Sequence, residues 1–236
     1  MEFKDQNILI VGASSGIGLS LAKSLSEAGA NLILASRNKP ELNGDFQYIE
    51  LDVLNLEDQL DDLPEELHGL AYCPGSINLK PFKSLKKEDF MEDFQLNTVG
   101  AAMIIQKALK SLQKAKGASI VLFSTVAANT GLSFHASIAS AKGAIQGLAL
   151  SLAAELADKQ IRVNVVAPSL TDTPLADKLL SNEDKKEASN KRHPIGRYGK
   201  PNDISNAAKF LLSKQNSWIT GQIIGVDGGM ETIRNI

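Results

Sequence analysis

Asn7-Ile8-Leu9-Ile10-Val11-Gly12-Ala13-Ser14-Ser15-Gly16-Ile17-Gly18 decides the fold. The aliphatic run ends at a glycine-rich turn and passes straight into an amphipathic segment from Gly16 to Ala28, a strand-turn-helix pattern. In that context the glycines have separate physical tasks. Gly12 permits the tight turn, Gly16 lets a ligand approach the backbone, and Gly18 lets helix and strand pack closely. Backbone N–H groups and the helix N-terminus then face one point, where they can hold a pyrophosphate.

The same alternation continues along the chain. Strands are expected at Asn31 to Ala35, Phe46 to Leu51, His68 to Tyr72, Ser119 to Phe123, Arg162 to Val166 and Gln222 to Val226. Long helices are expected from about Asn97 to Gln113 and Ile138 to Ala157, with a last one near Asn202 to Leu212. Repeated βαβ units mean a doubly wound α/β fold, a Rossmann-type parallel sheet of about seven strands flanked by helices. No repeat or Pro/Gly-rich linker divides the 236 residues, so one domain is expected across 1–236. The least regular stretch, Leu170 to Tyr198, reads as solvated helix plus loop; its place after a strand end makes it a candidate substrate lid over about 170–198.

Composition narrows the partners. A formal net charge of -2 and a pI near 6.0 give no electrostatic reason to expect nucleic acid or an anionic membrane. Small molecules and acyl-thioester substrates remain open. One cysteine, Cys73, excludes an intramolecular disulfide and fits a reducing compartment as a small hydrophobe. No apolar stretch approaches the ~20 residues that cross a bilayer, and the first residues lack signal-peptide character. A cytoplasmic protein is expected.

The second strand selects the cofactor. It ends Leu34-Ala35-Ser36-Arg37, where a site for NAD(H) would place an acid against the adenosine ribose 2'-hydroxyl. Ser36 removes that negative charge and Arg37 offers a guanidinium to a 2'-phosphate, so NADP(H) is preferred over NAD(H).

Several further motifs resemble those of the short-chain dehydrogenase/reductase family, from about Asn7 to Gly229. They are Leu51-Asp52-Val53, Asn97 in Leu96-Asn97-Thr98-Val99-Gly100, Val163-Asn164-Val165-Val166-Ala167-Pro168, Arg197-Tyr198-Gly199-Lys200-Pro201, Thr220-Gly221-Gln222 and Val226-Asp227-Gly228-Gly229. The pattern is most similar to β-ketoacyl carrier-protein reductases and other small carbonyl reductases. The resemblance implies cofactor contacts at Gly12, Ser14, Ser15, Gly16, Ile17, Gly18, Ser36, Arg37, Asp52, Val53, Gly75, Asn97, Lys142, Pro168, Thr171 and Thr173. It also implies pairing of the long helices in a homodimer or homotetramer, for which Ala141, Gly143, Ala144, Gly147 and Ala149 leave room.

Three departures stand out. The family's Asn-Asn-Ala-Gly turn is Tyr72-Cys73-Pro74-Gly75, and its Pro-Gly after the sixth strand is Pro168-Ser169. The catalytic serine position aligns with Thr125, with Ser124 beside it; either hydroxyl can donate to a substrate oxygen. Four residues before Lys142, where the family carries its tyrosine, the sequence has Ile138. Isoleucine has no proton to give, and positioned acid catalysis is typically worth ~10²- to 10⁴-fold.

Other groups must then supply that proton if turnover survives. If the helix carrying Lys142 extends back beyond Ile138, His135, Ile138 and Lys142 fall at i, i+3 and i+7 on one face, so His135 is a candidate acid; its alternative is a loop histidine bonded to backbone. The seven-residue spacing is also that of enoyl reductases of the superfamily, and Ser140-Ala141-Lys142 resembles the 2,4-dienoyl-CoA reductases. The expected machinery is Asn97 organising Lys142, Lys142 holding the cofactor ribose, Thr125 or Ser124 polarising a substrate oxygen, and His135 as acid. The competing expectations are an enoyl or dienoyl thioester reductase and a catalytically silent NADP(H)-binding protein. No metal site is expected.

Overall fold

The computed structural model describes residues 2–56 and 59–233. Seven strands, β1 (Asn7–Val11), β2 (Asn31–Ser36), β3 (Gln47–Glu50), β4 (Gly69–Tyr72), β5 (Ser119–Phe123), β6 (Arg162–Pro168) and β7 (Ile223–Val226), form one sheet in the order β3-β2-β1-β4-β5-β6-β7. Every neighbouring pair is parallel. The order reverses between β1 and β4, which opens a crevice at their carboxyl ends.

Helices cover both faces: α1 (Gly16–Glu27), α2 (Lys87–Phe94), α3 (Gly100–Lys114), α4 (Ala136–Glu155), α5 (Glu183–Arg192) and α6 (Pro201–Leu212). Strand periodicity explains the two cores. Leu9 and Val11 of β1 point to one side, with Ile104, Ile105 and Leu112 of α3 and Ile145 of α4. Ile8 and Ile10 point to the other, with Leu21 and Leu25 of α1 and Ile204 and Leu211 of α6.

The expected strands and long helices are present within a few residues of their expected limits. Helix α2, not among the expected helices, runs through a π-helical turn, Gln95–Val99, into α3. Asn97 therefore sits inside that turn, not at a helix start. The stretch after β6 contains a 3-10 segment, Pro174–Leu179, and α5. Its two ends are tied by a parallel bridge between Thr171 and Gly199, so the excursion is closed at its base.

Candidate active site

The dinucleotide half is built from backbone. Gly12 and Gly16 have φ of 78° and 53°, which an L side chain tolerates poorly. A Cβ on Gly18 would lie 2.2 Å from Gly12 O, so α1 packs on the turn only with glycine there. Ser15 precedes α1 without a side-chain cap bond, and the first turn has no acid, leaving its N–H groups and positive dipole end for an anion. These elements line a cavity of about 360 Å³ with Gly12, Ser14, Ser15, Gly16, Ile17, Gly18, Ser36, Arg37, Asp52, Val53, Gly75 and Thr173 on its wall. The residues fit a dinucleotide.

At the outer end, Ser36 Oγ donates to Asn38 O at 2.8 Å, which ties the strand end down beside exposed Arg37. Asp52 accepts from Leu54 N at 3.1 Å and from Asn55 Nδ2 at 3.3 Å, fixing the loop over the same cavity. Leu54 and Leu175, which no motif marks in the sequence, also line the wall, together with Leu96 from the Asn97 motif.

A second cavity of about 170 Å³ adjoins the first, sharing Ile17, Cys73, Gly75, Thr173 and Leu175. It collects Ser124, Thr125, His135, Ile138, Lys142, Pro168 and Thr171. Ile138 is buried, one helical turn before Lys142 on α4. Lys142 is also buried; its Nζ donates to Phe123 O at 2.8 Å. Burial lowers its pKa to about 8, against the opposing pull of Cys73 and Asp93. Burial pushes the Cys73 thiol up to about 12, so it is a neutral wall group.

Asn97 is fully buried and does not line either cavity directly. Its Nδ2 donates to Asp93 O at 2.7 Å and to Ser76 Oγ at 3.0 Å, while its Oδ1 has no partner. A methyl on Gly75 would touch that Oδ1 at 3.4 Å and Lys142 Nζ at 3.5 Å, so both atoms border one small space. An orphaned buried carbonyl beside an ammonium suits a bridging donor such as water.

The hydroxyls divide. Thr125 Oγ1 accepts from Ala127 N at 3.3 Å, which leaves its hydrogen for the cavity. Ser124 Oγ donates to Lys142 O at 2.9 Å and accepts from Gln146 Nε2 at 3.1 Å, so its hydrogen locks β5 to α4. Ser137 is similarly occupied, donating to Asp93 Oδ2 at 2.6 Å, and Ser140 donates back to Ala136 O. His135 lines the cavity with Nδ1 2.7 Å from Ser133 O. A carbonyl only accepts, so Nδ1 carries the hydrogen and Nε2 is the nitrogen that can exchange.

No tyrosine lines the second cavity among the described residues. Tyr72 OH donates to Leu96 O at 2.6 Å, and burial raises its pKa far above the ordinary value. Tyr48 OH donates to Ser36 O at 3.0 Å in the adenosine half. Pro74, in the altered turn, packs on Gly12: a Cβ there would meet Pro74 N at 2.9 Å.

A parallel sheet with a glycine turn at its switch point and a buried lysine beside the cavity defines a dinucleotide-binding α/β protein of the oxidoreductase kind. The family model described as Enoyl-(Acyl carrier protein) reductase matches residues 12–231, and the chain belongs to the short-chain dehydrogenase/reductase family. It is 31% identical to a 3-oxoacyl-[acyl-carrier-protein] reductase FabG of Rickettsia bellii, covering 98% of each chain. A tropinone reductase homolog of Arabidopsis thaliana is 33% identical, over 95% of this chain and 92% of that one. Among solved structures, a short-chain type dehydrogenase/reductase from Mycobacterium ulcerans has a TM-score of 0.90 at 29% identity, over 100% and 93% of the two chains. ElxO with NADP bound has a TM-score of 0.88 at 27% identity, over 97% and 99%. No helix of the described residues is long and apolar enough to cross a membrane, and they contain no cluster fit for a metal.

Proposed function

We propose that the protein is an NADP(H)-dependent reductase that transfers hydride to a carbonyl, a 3-oxoacyl thioester or small ketone, with a proton donor other than tyrosine. The observation that carries this is the continuity of the two cavities: the glycine turn and Arg37 border one, Lys142 and Thr125 the other, and Gly75 borders both. Ile138 stands in the place of the family's phenol. NADP(H) is favoured over NAD(H) because Arg37 borders the adenosine end and β2 ends without an acid.

When bound, the cofactor supplies the hydride. The chain's residues would do the rest. The α1 N-terminus and the backbone at Ser14 and Ser15 hold the pyrophosphate, Arg37 the 2'-phosphate, and Asp52 and Val53 the adenine side. Pro168, Thr171 and Thr173 border the nicotinamide end, Lys142 holds its ribose, and Asn97 organises Lys142 through the space beside Gly75. Thr125 polarises the substrate oxygen, and the 170–198 segment acts as a lid. On the α4 side, His135 is the imidazole available for the proton. His135→Ala measures its share: lost turnover at unchanged NADPH affinity assigns the proton to it, and unchanged turnover removes it.

The open face of α4 supports a homodimer or homotetramer. A Cβ on Gly143 or Gly147 would meet nothing within 4 Å, and Leu150 is 50% exposed. Light scattering at a monomer mass would reject the assembly. The deciding experiment for function titrates NADPH by fluorescence, then follows its oxidation with ketones, β-ketoacyl thioesters and enoyl thioesters. Turnover of the carbonyl compounds supports the proposal. Turnover of enoyl thioesters alone replaces it with the enoyl reductase reading, which the family model's description favours. Binding without oxidation makes the protein a silent NADP(H) binder.

A further inference from the structure

Ser169 stands where three cavities meet. It lines the 170 Å³ cavity with Lys142, a cavity of about 490 Å³ under α5, and one of about 280 Å³ beside Asp227. Its Oγ lies 2.8 Å from Nε2 of His193, which is 3% exposed and lines the latter two cavities. The other ring nitrogen, Nδ1, is 2.6 Å from Ser189 O. Because a carbonyl only accepts, Nδ1 keeps its hydrogen in both charge states, and Nε2 alone gains or loses one.

That constraint gives the serine a direction. With neutral His193, the Ser169 hydroxyl donates to Nε2. With cationic His193, Nε2–H donates to Ser169 Oγ and frees the serine hydrogen for a partner in the cleft. Among the described residues its other hydrogen-bond acceptor is Asp227 O, at 3.4 Å, a weak competitor. A half-buried hydroxyl at a cavity wall, backed by a buried histidine whose second nitrogen is anchored, is the arrangement that moves protons in acid–base sites.

We propose that Ser169 gives the substrate oxygen its proton and that His193 recharges it. This rests on the carbonyl-reductase reading above. Hydride addition forms the C–H bond at the carbonyl carbon and moves the π pair onto oxygen. The oxygen takes the Ser169 hydrogen, Ser169 Oγ takes the Nε2 hydrogen, and neutral His193 regains a proton from water. The nicotinamide is oxidised and the carbonyl reduced to an alcohol. The charged groups around His193 are Lys185 and Arg192 from α5, Arg197 after it, Asp203 from α6, and Asp227 after β7. Arg197 and Asp203 are paired with each other, so their charges largely cancel.

The test compares Ser169→Ala, Ser169→Thr, His193→Gln and His135→Ala in the full chain, with Ser169→Gly if the alanine variant misfolds. Ser169→Ala should lower kcat ~100-fold with NADPH affinity within about twofold, and Ser169→Thr should restore most of it. His193→Gln, which keeps a side-chain amide but no exchangeable imidazole proton, should lower kcat by a similar factor with NADPH affinity unchanged. In the cofactor-free protein, nitrogen NMR should show the Nε2 resonance of His193 moving in Ser169→Ala, where its hydrogen-bond partner is removed, while the resonances of His135 stay. Unchanged kcat in Ser169→Ala, or loss in His135→Ala alone, overturns the assignment. A wild type that binds NADPH but reduces no carbonyl overturns the parent reading, and is distinguished by its own inactivity.

Discussion

The two ends of the crevice are made from different materials. At the dinucleotide end the contacts come from backbone shape: Gly12 and Gly16 at positive φ, Gly18 against Gly12 O, and free N–H groups opening α1. At the hydride end they come from side chains that meet only in the folded chain, Lys142 with Phe123 O, Asn97 with Ser76, and Ser169 with His193. Backbone shape tolerates almost no substitution, whereas a side-chain site can exchange its acid and keep its architecture.

The largest effect separating them should come from Gly18→Ala. With Gly12 O 2.2 Å from the new Cβ, the turn must move, at a cost of ~3 kcal/mol or more, and NADPH binding should vanish. Denaturant unfolding and cofactor titration would measure both; retained binding would break the contrast. Lys142→Met should instead preserve the fold and lower turnover ~100-fold or more. Its stability should also respond to pH with a definite sign. The buried lysine is protonated less readily when folded, so the unfolded chain binds more protons between about pH 8 and the ordinary 10.5. Wild-type stability should therefore rise through that window, and Lys142→Met should lack the rise. Unfolding midpoints across the window would reveal it.

Arg37→Ala should weaken NADPH binding ~10-fold or more and leave NADH within about twofold, since a charge-assisted contact to a 2'-phosphate is lost. Equal loss of both cofactors would remove the selectivity argument. The smallest effect should be that of Ser137→Ala. It takes one donor from the buried Asp93 carboxylate, which keeps Ser76 and Asn78, and should cost about 1 kcal/mol in unfolding experiments without changing NADPH affinity.

This division of materials also explains what was legible in the sequence. Strand runs such as Ser119 to Phe123 and the glycine turn are local patterns, and they yield the sheet and its cofactor end directly. Helix α2 was missed because its buried face is acidic: Asp89 and Asp93 point inward, to Lys80 and to Ser76 and Ser137, while Met91 and Phe94 are exposed. Hydrophobic periodicity has nothing to register there. Of the candidate site, Thr125, His135, Ile138 and Lys142 share one cavity as their helix and strand positions suggest. The Ser124 hydrogen is committed to Lys142 O, a choice of rotamer that sequence does not encode. His193 is invisible as a partner of Ser169 because 24 residues and a helix separate them.

Cofactor binding and hydride transfer should both survive isoleucine at 138. Stopped-flow oxidation of pre-bound NADPH by a β-ketoacyl thioester tests this most directly. Stoichiometric binding should be followed by oxidation that Ser169→Ala slows ~100-fold. Stoichiometric binding with no oxidation by any carbonyl substrate would contradict it.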